Sequence, residues 1–271
     1  MEASRAVRGE VLGGDGARLV VEVPVEVPVN IVYATLPFAV MMASPGDFED
    51  FAVGFSVTEG IVADAAEVRG VAVSVVPRGV VVDVDLAPAA LRRHMARLRE
   101  AGGRSMAGRT GCGVCGIESL EQLPAARPVM AAGGAVGWAA IRTALMELEG
   151  RQVLHAATRA VHAAAWCAAD GAILLVREDV GRHNALDKLI GGCLRAGQAA
   201  GDGFVVLTSR CSFEMVEKVA AFGAGTVVAI SAPTSLAIER AAALGVRLVA
   251  VARPDGAIGF TSGGFTAGGG A

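Results

Sequence analysis

Aromatic side chains are scarce in this chain: one Tyr, two Trp and nine Phe make up 4% of 271 residues. A core with so few large rings has to be filled by small and β-branched side chains. Hydrophobic residues, many of them Ala and Val, do reach 53%. A basic excess is also missing. Lys and Arg number 24 against 27 Asp and Glu, a net charge of −3. That excludes a general nucleic-acid binder, whose domains carry surplus positive charge, and leaves room for a local basic pocket around one phosphorylated ligand. No uncharged apolar run reaches the ~18 residues of a membrane span. The most apolar stretch is interrupted by Pro233, Glu239, Arg240 and Arg247. The N-terminal residues lack the continuous apolar segment of a secretory signal. The expected location is therefore cytoplasmic, with no membrane or nucleic-acid partner.

Cysteine is rare and odd in number: Cys112, Cys115, Cys167, Cys193 and Cys211. An odd count in a chain of this size argues against a disulfide framework. In a reducing compartment a close pair of thiols suits metal binding or catalysis better than structure. A second C-x-x-C and an H-x₃₋₅-H are both lacking, so a four-ligand zinc site has too few partners, and no permanently bound metal is expected.

What is present is concentrated in a few stretches. "GRTGCGVCG" (108–116) sets Cys112 and Cys115 among glycines. Three functional readings fit a single C-x-x-C: half of a zinc site, a dithiol redox pair, or a persulfide carrier. Glycines on both sides argue against the helix start that a thioredoxin-type pair uses to lower its thiol pKa. Spacing alone does not choose between persulfide and dithiol chemistry. Cys167, Cys193 and Cys211 read as small buried hydrophobes.

Along the chain, valine-rich alternation from Arg18 to Tyr33 predicts one or two strands, with Pro24 and Pro28 at edges or breaks. Residues 38–44 predict another strand. Ser44 is expected to cap a following helix, whose Phe48, Phe51, Ala52 and Phe55 share one apolar face suited to core packing. Residues 68–86 predict a hairpin turning near Pro77-Arg78-Gly79, and "APAALRRHMARLREAGG" an amphipathic helix. Beyond Val161, strand patterns at 161–168, 172–178, 204–209, 226–231 and 246–252 combine with helical patterns at 182–196, 212–222 and 234–244. Alternation of this kind predicts an α/β layer with a largely parallel sheet. The chain thus divides into a β-rich N-terminal part, 1–101, a Cys-bearing connection, 102–137, and an α/β part, 138–271.

Three strand-to-helix turns of the α/β part are polar. "REDVGRHNALDK" places Gly181, Arg182, His183 and Asn184 at a helix start that carries Asp187 and Lys188. "TSRCSFEMVEK" offers Ser209 and Arg210, and "ISAPTSLAIER" offers Ser231, Thr234 and Ser235. Open α/β sheets bind ligands beyond the carboxyl ends of their strands, where helix amides and basic side chains suit anions. A phosphate-bearing ligand is the expectation. Plain alternatives exist for each residue: a solvated helix face for Asp187 and Lys188, a cap or surface histidine for His183, and a satisfied core histidine for His162.

"CGVCG", "REDVGRHNALDKLIGG", "SRCSFEMVEK" and "AISAPTSLAIERAAALGVRLVAVAR" resemble, in this order, the FdhD family of formate dehydrogenase accessory sulfurtransferases. "SPGDFEDFAVGFSVTEGIV" is similar to an early segment of the same family. The resemblance implies a C-terminal three-layer α/β domain like that of cytidine deaminases, beside the smaller β-rich part, and a homodimer. It implies that Cys112 takes sulfur from a cysteine desulfurase as a persulfide, with Cys115 as its helper. The sulfur would pass to a molybdenum cofactor of the bis-molybdopterin guanine dinucleotide type, bound as substrate and destined for apo-formate dehydrogenase. Arg182, His183, Asn184, Asp187, Lys188, Ser209, Arg210, Ser231, Thr234 and Ser235 would line its nucleotide end, together with Ile258, Gly259, Phe260 and Thr261 of the tail. Deaminase chemistry itself needs an H-x-E that this chain lacks. Two other functions remain as alternatives: a non-catalytic cofactor-binding chaperone, and a small zinc protein using the two cysteines.

Overall fold

The computed structural model describes residues 1–13, 16–100, 136–198, 200–201 and 203–261. Both Cys112 and Cys115 lie outside the described residues. Two sheets with separate cores lie on either side of that undescribed stretch, preceded by a two-stranded ribbon, β1 (Ser4–Glu10) with β2 (Arg18–Pro24).

The first sheet has the order β4-β3-β6-β5, from β3 (Val27–Tyr33), β4 (Leu36–Ala43), β5 (Val68–Val76) and β6 (Gly79–Leu86). Strand β6 shows why the residues pair this way. Val80, Val82, Val84 and Leu86 face the core, while Asp83 and Asp85 point away. Pro28 falls inside β3 rather than at a break, but one residue before pairing with β6 begins at Val29, so its missing N–H interrupts no bond to β6. Helix α1 (Phe48–Thr58) covers this sheet with Phe51, Ala52 and Phe55, as their spacing predicts. Helix α2 (Pro88–Glu100) adds Ala90 and the buried His94, whose ring lies 5.2 Å from Tyr33 and 5.4 Å from Phe38.

The second sheet has six strands in the order β12-β11-β10-β9-β7-β8: β7 (His162–Cys167), β8 (Ile173–Asp179), β9 (Phe204–Leu207), β10 (Thr226–Ala229), β11 (Arg247–Arg253) and β12 (Gly256–Gly259). It is mixed, not largely parallel. Only β9, β10 and β11 pair in parallel, while β7 is antiparallel to both neighbours and β12 to β11. The cause is visible in the sequence. The stretches after β7 and β11 are too short for a crossover helix and make hairpins. Helices α5 (Arg182–Arg195), α6 (Phe213–Phe222) and α7 (Ser235–Leu244) cover one face, and α3 (Trp138–Arg151) the other. A short α4 (Val153–Thr158) leads into β7. With both faces covered, every residue of β9 and β10 is buried. No helix among the described residues is long and apolar enough to cross a membrane.

The two parts meet where α1 crosses α5. A Cβ on Gly54 would lie 1.8 Å from the Asp187 carbonyl oxygen, and one on Gly191 would lie 1.8 Å from that of Asp50. Only glycine permits this approach of two helix backbones.

Candidate functional site

Strand β8 is antiparallel to β7, which is antiparallel to β9, so β8, β9, β10 and β11 all run in one direction. Their carboxyl ends form one rim of the sheet. The turns after β8, β9 and β10 bring Arg182 and His183, Ser209 and Arg210, and Ser231, Thr234 and Ser235 to that rim. The last two turns are tied together, since Cys211 N–H donates to the Ala232 carbonyl and Thr234 N–H to that of Cys211. Helices α5, α6 and α7 all start here. Thr234 caps α7 by accepting from Ala237 N–H at 3.2 Å, whereas neither Gly181 of α5 nor Ser212 of α6 makes a side-chain cap bond. The amino end of α5 is thus left with unused N–H groups at the rim, whereas at α6 the Glu214 carboxylate accepts from its own backbone N–H.

Arg210, Thr234 and Ser235 are exposed, and Arg182 and Ser231 half-buried. Ser209 is buried and donates to the Arg210 carbonyl at 3.0 Å. His183 is 6% exposed, and its Nε2 has no hydrogen-bond partner among the described residues; the same holds for the buried Nε of Arg182. The nearest acid to His183 is Glu214, with Oε2 at 3.9 Å from Nε2, beyond hydrogen-bond length. Burial pushes the Glu214 carboxyl up, but the His183 ring and the Ser212 hydroxyl, 2.7 Å away, outweigh it and bring the pKa down to about 2. Glu214 is therefore ionised at any physiological pH.

Asn184, Asp187 and Lys188, expected to line a ligand pocket, have a different setting. All three are buried and bonded within the protein. Asp179, fully buried at the end of β8, accepts from Ser44 N–H at 2.9 Å, Gly181 N–H at 2.8 Å and Asn184 Nδ2 at 3.0 Å, and pairs with Lys188 Nζ at 2.8 Å. Asn184 also donates to the Met42 carbonyl and Lys188 to that of Ser44. Ser44 does not cap α1, whose cap residue is Asp47; its hydroxyl accepts from Val180 N–H at 3.1 Å. One helical turn on, Asp187 accepts from Thr58 Oγ1 at 2.7 Å and pairs with Lys218 Nζ at 3.0 Å, and Lys218 in turn pairs with Glu59. Burial pushes the Asp187 carboxyl up, against Lys218 and Thr58, while its two carboxylate partners hold Lys218 charged. The C-terminal half of the "RHNALDK" motif thus clamps the two sheets together. Gly181 has φ −99°, so it is required not by a left-handed turn but by Asn184 Nδ2, which would lie 2.8 Å from an added Cβ.

The tail residues are not brought to this rim. Strand β12 runs back along the sheet edge, carrying Ile258 and Gly259 away from it. Phe260 packs on the α5–α7 side of the core, and Thr261 ends at the opposite rim, its Oγ1 accepting from Leu248 N–H and donating to the Val246 carbonyl. His162, half-buried at the start of β7, has its pKa lowered by burial and by Arg182. Cys167, Cys193 and Cys211 are buried, which pushes each thiol up to about 12 and makes them inert. The sequence reading missed the roles of Ser44, Thr58, Glu59, Asp179 and Lys218. Their only signal was their place inside the motifs "SPGDFEDFAVGFSVTEGIV", "REDVGRHNALDKLIGG" and "SRCSFEMVEK", and nothing in a linear pattern says that these segments meet.

The model of the FdhD/NarQ family matches residues 24–264. The chain belongs to the FdhD/NarQ family. A protein of Variovorax paradoxus named sulfur carrier protein FdhD is 47% identical over 88% of this chain and 84% of its own length. One of the same name from Cupriavidus necator is 46% identical over 86% of this chain and 79% of its own. Among solved structures, one described as a formate dehydrogenase accessory protein from Desulfotalea psychrophila matches with a TM-score of 0.74 at 25% identity, covering 96% of this chain and 98% of that one. The resemblance carried by the motifs is thus a family relation that extends over nearly the whole chain.

Proposed function

We propose that this protein is a sulfurtransferase that carries sulfur from a cysteine desulfurase to the molybdenum cofactor of a formate dehydrogenase. The observation that carries this reading is the Cys112/Cys115 pair in a chain of the FdhD/NarQ family, whose relatives bear the name of sulfur carriers. The three described cysteines are buried and inert, which supports giving the sulfur chemistry to the other two.

The thiolate of Cys112 attacks the terminal sulfur of the donor's persulfide. The donor S–S bond breaks, the donor cysteine leaves as a thiolate, and Cys112 becomes the persulfide. Release as hydrosulfide needs two electrons. Cys115 supplies them by attacking the inner sulfur of Cys112: a Cys112–Cys115 disulfide forms and HS⁻ departs to the molybdenum. A cellular dithiol then reduces the pair for the next cycle.

The rim suits the dinucleotide end of such a substrate. The uncapped start of α5, Arg182 and Arg210 would meet its phosphates, and the Nε2 of His183, unpartnered among the described residues, and the hydroxyls of Ser231 and Ser235 would take further polar groups. The tail from Ile258 to Thr261 would make a separate contact with the cofactor, away from this rim.

A complementation assay tests the reading. In cells lacking the chromosomal copy, Cys112→Ala is expected to leave formate dehydrogenase inactive although the variant is folded and abundant. A non-catalytic chaperone would restore activity without Cys112. Guanosine diphosphate binding, weakened about tenfold or more by Arg210→Ala and Arg182→Ala but unchanged by Thr261→Ala, would support the rim as the nucleotide site.

A further inference from the structure

Helix α2 carries Arg92, Arg93, Arg97 and Arg99 against a single acidic residue, Glu100 at its end, in a chain whose net charge is −3. Ala90 and His94 are buried against the first sheet and Leu91 packs beside them. All four arginines are exposed and share the outer half of the helix with Ala89 and Ala96. Arg93 is held by Glu67 at 2.6 Å, and Arg97 donates to the Gly60 carbonyl. Arg92 and Arg99 have no partner among the described residues. An arginine at a useful structural position finds a carboxylate or a carbonyl, as Arg93 and Arg97 do. Arg92 and Arg99, which find neither among the described residues, stand next to two more and make a positive face on an otherwise slightly acidic molecule.

The place of this face in the chain matters. Cys112 follows Arg99 by 13 residues, so the thiol is tethered within at most roughly 45 Å of the end of α2. A protein seated on α2 holds its own reactive group inside the reach of that thiol.

We propose that the outer face of α2 is the docking surface for the protein that donates sulfur to Cys112, and that the donor meets it with an acidic patch. The proposal rests on the sulfur-carrier reading. Complementary charge of this kind acts mainly on the rate of encounter, and its effect falls with ionic strength.

The test measures the initial rate of persulfide formation on the full chain with two donors: the source organism's purified cysteine desulfurase supplied with cysteine, and glutathione persulfide, which needs no docking surface. The variant is Arg92→Glu combined with Arg99→Glu. Both residues are exposed and have no partner among the described residues, and an unchanged thermal midpoint confirms the fold. The expected result is a loss of about tenfold or more in loading from the desulfurase, unchanged loading from glutathione persulfide, and a salt dependence that the wild type shows and the variant lacks. Equal rates from the desulfurase for variant and wild type would overturn the proposal. So would equal losses with both donors, or a defect confined to activation of formate dehydrogenase, which would give the face to the acceptor. Failure of the wild type with both donors would instead overturn the sulfur-carrier reading itself.

Discussion

Two lysines at the centre of this molecule explain why its most distinctive motif is so polar and yet so buried. Lys188 and Lys218 each meet a buried aspartate, at 2.8 Å for Asp179 and 3.0 Å for Asp187. Desolvation makes such pairs poor contributors to net stability but makes half a pair very unfavourable. Lys218→Met should therefore cost about 3–5 kcal/mol in urea unfolding, because Asp187 loses its counter-ion in a buried site. Adding Asp187→Leu should recover part of that loss; a further loss in the double variant would contradict this account. His94 gives a pH effect of its own. Burial between Tyr33 and Phe38, and then Arg97, lower its pKa in the folded state. Stability from the neutral ring is fully present above the unfolded value of about 6.5 and is lost as the pH falls below it toward the folded pKa. The thermal midpoint of His94→Phe should accordingly fall less between pH 7.5 and 5.5 than that of the wild type. Equal falls would remove His94 from the acid response.

At the scale of elements, the crossing of α1 on α5 is the feature most sensitive to small changes. Gly54→Ala and Gly191→Ala each put a methyl group within 1.8 Å of a carbonyl oxygen on the facing helix. Neither backbone can retreat without disturbing Asp187 or Asp50, which pairs with Arg177 and Arg195. Each substitution should destabilise by about 3 kcal/mol or more in denaturant titration, and a loss under 1 kcal/mol would show that the crossing is looser than described. Most elements were legible in the sequence. The strands and helices from His162 onward follow their hydrophobic periods, and the hairpin at Pro77–Arg78 follows its turn residues. The sheet direction was not, because burial on both faces produces the same apolar runs in parallel and antiparallel strands. The α1–α5 contact was not legible either. Gly54 and Gly191 lie far apart in the chain, and a helical glycine does not announce what approaches it.

At the scale of the whole molecule, the buried groups that bind Ser44, Thr58 and Glu59 of the N-terminal part to Asp179, Asp187 and Lys218 of the C-terminal part make the two sheets one cooperative unit. Fluorescence of Trp138 and Trp166, both in the C-terminal part, should report the same urea midpoint as far-UV circular dichroism of the whole chain; separated midpoints would mean that the sheets unfold independently. The polar rim and the outer face of α2 are both surfaces of that unit. The family was legible from the motifs around the Cys112/Cys115 pair. The division of the "RHNALDK" motif into a rim half and a clamp half was not, because polar residues at a helix start look alike in sequence whether they face a ligand or a neighbouring sheet.

The central claim is that Cys112 bears transferable sulfur, and intact mass tests it most directly. After incubation with a cysteine desulfurase and cysteine, the wild type should gain roughly 32 Da, one sulfur, reversible by dithiol. Cys112→Ala should gain nothing, and Cys115→Ala should keep the added sulfur longer than the wild type. A gain that persists in Cys112→Ala, or no gain in any of the three proteins, would contradict the account.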